Sequence, residues 1–312
     1  MSVPAWAWFA VGGAIAGLLV LDLATNRGDR EPTLRRSLVA SAAWISVSVS
    51  FGVVLGFASG SSVAEQYFAG YLVEKALSID NIFIFALLFR SFAVPRDLQH
   101  RVLFYGVVGA LVLRAGFIAG GAALLDRFSW IFYVFGAFLV VTGARMMRGE
   151  SHIDPQRNVA VRALGKLVPI APRYVGRSFF VRIGGRWHAT MLLVALVAVE
   201  TTDVLFATDS IPAVFGITTD VFVVFTSNAF AVLGLRALYF VFADAMDRFS
   251  LLSYGLAVVL ILIGVKMLLA SVVDVPVLVS LGAIAAVIGT ATLASVRRTR
   301  SGRGPSGTGT GA

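Results

Sequence analysis

Nine long apolar segments follow one another along the chain, and they restrict its fold more than any other feature. Runs of about 18 or more apolar residues are typical of helices that cross a lipid bilayer. Because 58% of the 312 residues are hydrophobic and only 14% are charged, a soluble globular fold is excluded. The sequence therefore predicts an all-α, polytopic membrane protein with about nine transmembrane helices, at roughly 5–24, 36–58, 66–90, 101–124, 129–146, 189–213, 219–242, 250–270 and 275–296.

Arginine and lysine cluster in four of the segments between and after these runs: the first loop, the loop after the third run, residues 145–187 and the C-terminal tail. Nine spans place all four clusters on one side, which the positive-inside rule makes cytoplasmic. The N-terminus is then predicted outside and the C-terminus inside. This distribution explains the net charge of +9 without a nucleic-acid partner.

The chain is predicted to consist of a transmembrane domain (1–296) and a disordered, basic tail (297–312). A basic cytoplasmic loop (about 147–188) interrupts the domain. Within it, "NVAVRALGKLVPI" has the spacing of a short amphipathic helix on the membrane surface. "RSFFVRIGGRWHAT" predicts a β-hairpin around Gly184-Gly185. Two roles for the loop stay open, fixing the orientation and docking partner proteins.

Two parts of the sequence repeat each other. "DRFSWIFYVFGAFLVVTGARMM" (126–147) matches "DRFSLLSYGLAVVLILIGVKML" (247–268), and "LVLRA" around Arg114 matches "LGLRA" around Arg236. The copies extend over about 66–147 and 189–268, with three helices each. Because three is odd, the copies are expected to be inverted in the membrane. Inverted repeats are typical of secondary transporters, whose substrate site lies where the copies meet.

Each copy begins with a helix that carries acidic residues. In the first copy Glu74 precedes Asp80 by six residues, and in the second Asp203 precedes Asp209 by six, with Glu200 nearby. An acid at a helix centre costs about 2.5–3.5 kcal/mol on membrane insertion. These five carboxylates are therefore predicted to face the interior of the bundle or a water-filled cavity.

Further polar residues share the two acidic helices: Ser78, Asn81, Thr201, Thr202, Thr208 and Ser210. Six residues turn a helix by about 240°, so both acids of a pair reach one site only if the site is wide or the helix is interrupted. Pro212 cannot donate to the carbonyl of Thr208, which predicts an interruption in the second copy.

Carboxylates, amides and hydroxyls are hard oxygen ligands that suit Mn²⁺, Mg²⁺ or Ca²⁺. Cysteine is absent and the three histidines lie at segment edges or in loops, so a soft-metal site is not expected. Two alternatives stay open. The acids could pair with intramembrane cations, with Arg114 and Arg236 as helix–helix or carboxylate partners, or they could belong to a metal-dependent enzyme. No catalytic constellation stands out, and an enzyme is not expected.

Three stretches, "EKALSIDNIFIFALLF", "VETTDVLFATDSIPAVFGIT" and "TSNAFAVLGLRALYF", resemble the signatures of the TerC family. The resemblance runs from about Val73 to Met267 and departs at Thr202, where an aliphatic residue is expected. It implies a multi-pass protein of the bacterial inner membrane, in a family named for tellurium resistance. Carried onto this chain, the family's acidic motifs predict metal ligands at Glu74, Asp80, Asn81, Glu200, Asp203, Asp209 and Ser210.

Several members of this family are linked to manganese efflux, and some to delivering metal to exported proteins. We therefore expect Mn²⁺ efflux by alternating access, with proton exchange as the hypothesised driver. The alternative is a membrane-bound assembly factor for metal or tellurite stress. Such a factor would metalate or dock secretion or stress-response proteins through the basic loop without being a transporter.

Overall fold

The computed structural model describes residues 3–25, 33–148, 159–242, 252–273 and 275–301. It is predominantly helical. The helices are α1 (Ala5–Thr25), α2 (Leu34–Ser59), α3 (Ser61–Ser91), α4 (Arg96–Arg127), α5 (Ile131–Met147), α6 (Val159–Leu167), α7 (Met191–Phe215), α8 (Val221–Leu233), α9 (Leu235–Phe242), α10 (Leu252–Leu268) and α11 (Val277–Ser301). The strands are β1 (Ile170–Ala171), β2 (Phe180–Ile183) and β3 (Arg186–Thr190).

Each of the nine predicted apolar segments is mostly helical in the part that the structure describes. Among the described residues, α1, α2, α4, α7 and α11 are long and apolar enough to cross a membrane. The α8–α9 pair, bent by 42° at Gly234, makes a sixth if it is taken as one span. α3 is long and carries several charged residues, whereas α5 and α10 have 17 residues each. The structure thus confirms a helical membrane protein with five to six candidate spans.

The basic loop at about 147–188, which we call the central loop, departs from the all-α prediction, because a three-stranded sheet in the order β1-β3-β2 forms in and just after it. The predicted hairpin is confirmed, with β2 antiparallel to β3. Gly184 and Gly185 have φ angles of +57° and +82°, the left-handed values that a two-residue hairpin turn needs and that glycine adopts without strain. The predicted amphipathic helix of this loop corresponds to α6.

The predicted interruption near Pro212 is wrong, because α7 continues from Met191 to Phe215 with the proline inside it. The residues that follow Pro212 in the helix are buried. Packing from neighbouring helices therefore holds the last turn in place across the missing hydrogen bond. The break occurs instead at Gly234, between α8 and α9.

The C-terminal tail and some basic residues fall partly outside the described ranges. α11 extends to Ser301, so the first five residues of the predicted tail are helical, and 302–312 lie outside the description. Arg27 and Arg30 of the first loop and the repeated residues 247–250 lie outside it as well.

The acidic helices occupy the centre of the bundle. α3 packs against α8, α4 packs against α7, and α3 and α7 also contact each other. α5 and α10 form the most extensive helix pair. The outer helices α1, α2 and α11 leave many apolar side chains exposed, as expected for surfaces that contact lipid.

Glycines set the close approach of α5 and α10. A Cβ atom on Gly136 would lie 3.0 Å from the carbonyl oxygen of Gly264, and one on Gly143 would lie 2.7 Å from that of Ala257. As residue numbers increase along α5, those of the contacted residues on α10 decrease, so the two helices run antiparallel. Small residues permit such backbone contact between membrane helices.

Replacing Gly143 with alanine is expected to lower the thermal stability of the purified protein by the equivalent of about 1–3 kcal/mol, the usual cost of overpacking. The added methyl group would meet backbone that cannot move without separating α5 from α10. Gly116→Ala is the matched control, because a Cβ atom at Gly116 would meet no neighbouring side chain or helix within 4 Å. Thermal unfolding in detergent measures both variants, and equal melting temperatures would contradict the assigned contact.

Candidate functional site

The candidate site is built around the buried guanidinium of Arg114 on α4. Its Nε donates to Oδ2 of Asp203 at 3.0 Å, and its Nη2 donates to Oδ1 of the same residue at 3.0 Å. Its Nη1 donates to Oε1 of Glu74. Glu74, Arg114 and Asp203 are 0%, 2% and 3% exposed. One arginine therefore joins an acid of α3 to an acid of α7, with side-on geometry at Asp203.

Asn228 on α8 completes this cluster. Its Nδ2 donates to Oε2 of Glu74 at 3.0 Å, and its Oδ1 accepts from Nη1 of Arg114 at 3.1 Å. Ser210 also accepts from this Nη1, at 3.4 Å. Sequence analysis assigned no role to Asn228. The polar triplet Thr226-Ser227-Asn228 in the otherwise apolar α8 is the signal that could have found it. We call Glu74, Arg114, Asp203, Ser210 and Asn228 the central cluster.

The cluster holds two carboxylates and one guanidinium, a formal charge of −1 when all three are ionised. Each charged group is buried and hydrogen-bonded, which is the condition under which charges survive in a low-dielectric interior. The remaining negative charge favours a cation over an anion at this point. Arg114 therefore pairs with Glu74 and Asp203 in the way that the alternative of intramembrane ion pairs predicts.

Polar residues spaced by seven share the buried faces of the two acidic helices. On α3, Ser78 and Asn81 follow Glu74 by four and seven residues, and both are buried. The hydroxyl of Ser78 has no hydrogen-bond partner among the described residues. On α7, Ser210 follows Asp203 by seven. Asp80 also lies in α3, and its side chain is outside the described part of the structure.

Two predicted ligands on α7 lie apart from the central cluster. Glu200 faces α4, where a Cβ atom on Gly109 would collide with its carboxylate. Its Oε2 is buried with no hydrogen-bond partner among the described residues. Asp209 interacts with the side chain of Thr142 on α5. The structure therefore does not gather all the predicted ligands at one point, because residues six apart on a continuous helix face different neighbours.

The threonines of α7 bond within their own helix. The hydroxyls of Thr201, Thr202 and Thr208 donate to the carbonyls of Val197, Ala198 and Leu205, respectively. Such back-bonding satisfies a hydroxyl in an apolar environment. Within the described ranges, no group of three or more histidine, aspartate or glutamate side chains is placed to hold a metal ion.

The other intramembrane cations lie outside the cluster. Arg236 on α9 pairs with Asp22 on α1, which confirms a carboxylate partner for this arginine and ties the two helices together. Lys75 donates through Nζ to the carbonyl oxygen of Ala231 at 2.9 Å. The two arginines matched in the repeat therefore have different surroundings, and only Arg114 joins both acidic helices.

Comparison with known proteins identifies a family to which the chain is similar. The family "Integral membrane protein TerC family" matches residues 59–303. A relative from Myxococcus xanthus, named "Uncharacterized membrane protein STKORF319", is 42% identical over 297 residues, covering 95% of this chain and 92% of the relative.

Two further relatives carry the name "Putative membrane-bound redox modulator Alx". The one from Photorhabdus laumondii is 43% identical over 292 residues, covering 91% of each chain. The one from Escherichia coli K12 is 43% identical over 288 residues, covering 89% of this chain and 90% of the relative. No solved structure matches. From the family match and the near full-length relatives, the chain belongs to the TerC family of integral membrane proteins.

Proposed function

We propose that this protein is a divalent-cation transporter of the bacterial inner membrane that exports Mn²⁺. The proposal rests mainly on the proximity of Glu74 and Asp203, which contact the same guanidinium. These two acids hold equivalent positions in the sequence repeat and converge on one buried point. Asn81 and Ser210, also equivalent in the repeat, extend the oxygen-rich faces on either side. Such oxygen ligands suit a hard divalent cation.

The transporter has nine spans and two inverted repeats. Contacts between α5 and α10 support this architecture, because each contact occurs twice. In the repeat alignment Gly143 matches Gly264 and Gly136 matches Ala257. The Gly136–Gly264 contact is therefore the counterpart of the Gly143–Ala257 contact. Likewise, the packing of α3 on α8 is the counterpart of the packing of α7 on α4.

Nine spans place the N-terminus outside and the C-terminus in the cytoplasm. A cavity of about 620 Å³ supports this topology, because Ser59, Val63, Phe215, Thr218 and Val277 line it together. These residues come from helix ends that nine alternating spans all place on the outer side. The central loop contacts the ends of α3 and α4 on the opposite side, where Tyr174 donates to the carbonyl oxygen of Phe92 at 2.7 Å.

In this mechanism Arg114 is the resident counter-ion of the cation-free state. Mn²⁺ takes the place of the guanidinium beside Glu74 and Asp203. Both buried acids therefore have a positive partner in either state, without which their charges would be uncompensated. Rocking of one repeat against the other then exposes the site to the opposite side. After the cation leaves, a carboxylate in this low-dielectric site favours proton uptake until the guanidinium of Arg114 pairs with it again, so proton exchange is the proposed driver.

Cation flux in vesicles reconstituted with the full chain tests the proposal. We expect Mn²⁺ transport above that of protein-free vesicles, Mg²⁺ and Ca²⁺ as the nearest competitors, and little transport of Zn²⁺. A pH indicator trapped in the vesicles should report proton movement opposite to that of Mn²⁺. If folded, monodisperse protein gave no flux of any of the four cations, the proposed transport function would be wrong.

A second candidate function is a membrane-bound assembly or stress-response factor that docks partners through the central loop. The name of the Alx relatives, "Putative membrane-bound redox modulator", is the reason to keep this candidate. The 312 residues include no cysteine, so such a role could not use thiol–disulfide chemistry of this chain. In the vesicle experiment this candidate predicts no cation flux.

A further inference from the structure

Residues 159–190, which we call the central module, contain six basic residues and no acidic ones. The module comprises α6 and the sheet β1-β3-β2. All six basic residues are exposed: Arg162, Lys166, Arg173, Arg177, Arg182 and Arg186. A surface of uniform positive charge with no acidic residue is suited to an extended anionic partner.

Several contacts hold the module beside the ends of the membrane helices. The Tyr174 hydroxyl donates to the carbonyl of Phe92, just after α3, and burial raises the pKa of Tyr174 to about 12, so it stays a donor at neutral pH. Arg101 near the start of α4 stacks over the ring of Phe179, 5.3 Å from its centroid. β3 leads directly into α7 at Met191. The module therefore lies next to the bilayer surface.

One face of the hairpin combines aromatic and basic side chains. Arg182 pairs directly with Trp187, and Phe180 pairs with Ala189. Residues directly opposite in an antiparallel pair share a face, so Phe180, Arg182 and Trp187 lie on the same side. Trp187 is 63% exposed and Phe180 is 48% exposed. Such exposure of large aromatic side chains marks an interaction surface.

We propose that this hairpin face binds the anionic phospholipid headgroups of the adjoining leaflet. Tryptophan favours the headgroup level of a bilayer, phenylalanine inserts at the boundary between headgroups and acyl chains, and arginine pairs with phosphate. Basic segments next to the membrane are attracted to anionic lipid. The leaflet is the favoured partner because β3 leads directly into the membrane helix α7. This connection keeps the headgroups within reach of the module at all times. This proposal is independent of cation transport.

Trp187 fluorescence in vesicles tests the proposal with the full chain. The chain has five tryptophans, so the Trp187 signal is taken as the difference between wild type and Trp187→Phe. Vesicles of phosphatidylcholine, with or without phosphatidylglycerol, carry acyl chains brominated near the headgroup in both leaflets. We expect blue-shifted emission and roughly twofold stronger bromine quenching in the anionic vesicles, reversed by high salt.

Charge variants provide the controls. Arg182→Gln should reduce the dependence on anionic lipid, and Arg182→Lys should retain it. Arg35→Gln removes the same charge at the start of α2 and should leave the quenching unchanged. Equal quenching in both vesicle types, or water-like emission in both, would overturn the proposal. The second result would direct attention to an acidic protein partner.

Discussion

Replacing Arg114 with glutamine is expected to lower the free energy of unfolding by about 3–5 kcal/mol, the usual cost of breaking a buried ion pair. The guanidinium makes hydrogen bonds to both oxygens of Asp203 and to one oxygen of Glu74. Glutamine retains polarity but no charge, so two fully buried carboxylates would lose their compensating charge. Thermal unfolding of the purified protein in detergent measures the loss.

A double-mutant cycle separates loss of charge compensation from loss of packing. Asp203→Asn added to Arg114→Gln should recover part of the lost stability, because an amide does not need a positive partner. Glu74→Gln should recover more when added to that pair. If neither change recovered stability, the guanidinium would be contributing volume rather than charge, and the ionic description of the central cluster would be wrong.

Arg90→Gln is the matched control for Arg114→Gln. Arg90 lies exposed near the end of α3, where solvent or headgroups satisfy its charge. Substitutions at exposed positions usually change stability by about 0.5 kcal/mol or less. A loss at Arg90 comparable to that at Arg114 would indicate a general sensitivity to lost positive charge.

Asp203→Asn is expected to reduce Mn²⁺ flux in vesicles, measured at subsaturating Mn²⁺, by about tenfold or more, as the loss of about 1.4 kcal/mol of cation binding would do. In the proposed mechanism Asp203 changes partner from Arg114 to the cation. An amide oxygen is a much weaker ligand for a divalent ion and cannot exchange it for a proton. Glu74→Gln should have a similar effect, because Glu74 is the equivalent acid of the other repeat.

Asp220→Asn is the control for this experiment, since it makes the same change outside the central cluster. The Asp220 carboxylate accepts from the backbone N–H groups of Phe222 and Val223 at the start of α8. Asparagine is an equally good N-cap, so folding should be preserved. Full Mn²⁺ flux in Asp203→Asn, or an equal reduction in Asp220→Asn, would remove the central cluster from the transport mechanism.

The sequence predicted the helices well because membrane insertion depends on local composition. A run of apolar residues must satisfy its backbone hydrogen bonds within itself, and a helix is the simplest solution. The hairpin at Gly184-Gly185 was predictable for a similar reason, since two adjacent glycines permit the required turn. The short β1–β3 pairing that extends it into a sheet depends on Ile170 meeting Ala189, a contact that local sequence does not encode.

The candidate site was only partly predictable. The cost of burying charge identified Glu74, Asp203 and Arg114 as interior residues, and helical periodicity showed that acids six residues apart could not easily converge. Glu200 and Asp209 indeed face other helices. Asn228 was missed because a neutral amide carries a weaker insertion penalty than a charge and stands out less in an apolar run.

Sequence alone determined that this chain is a helical membrane protein of the TerC family with acids in its interior, because those properties follow from hydropathy and residue order. Only the tertiary structure decided that Arg114, rather than Arg236, joins Glu74 to Asp203, and that α7 continues through Pro212. These outcomes depend on which helix faces pack together. Packing is set by the fit of side chains from distant parts of the chain, which local patterns do not contain.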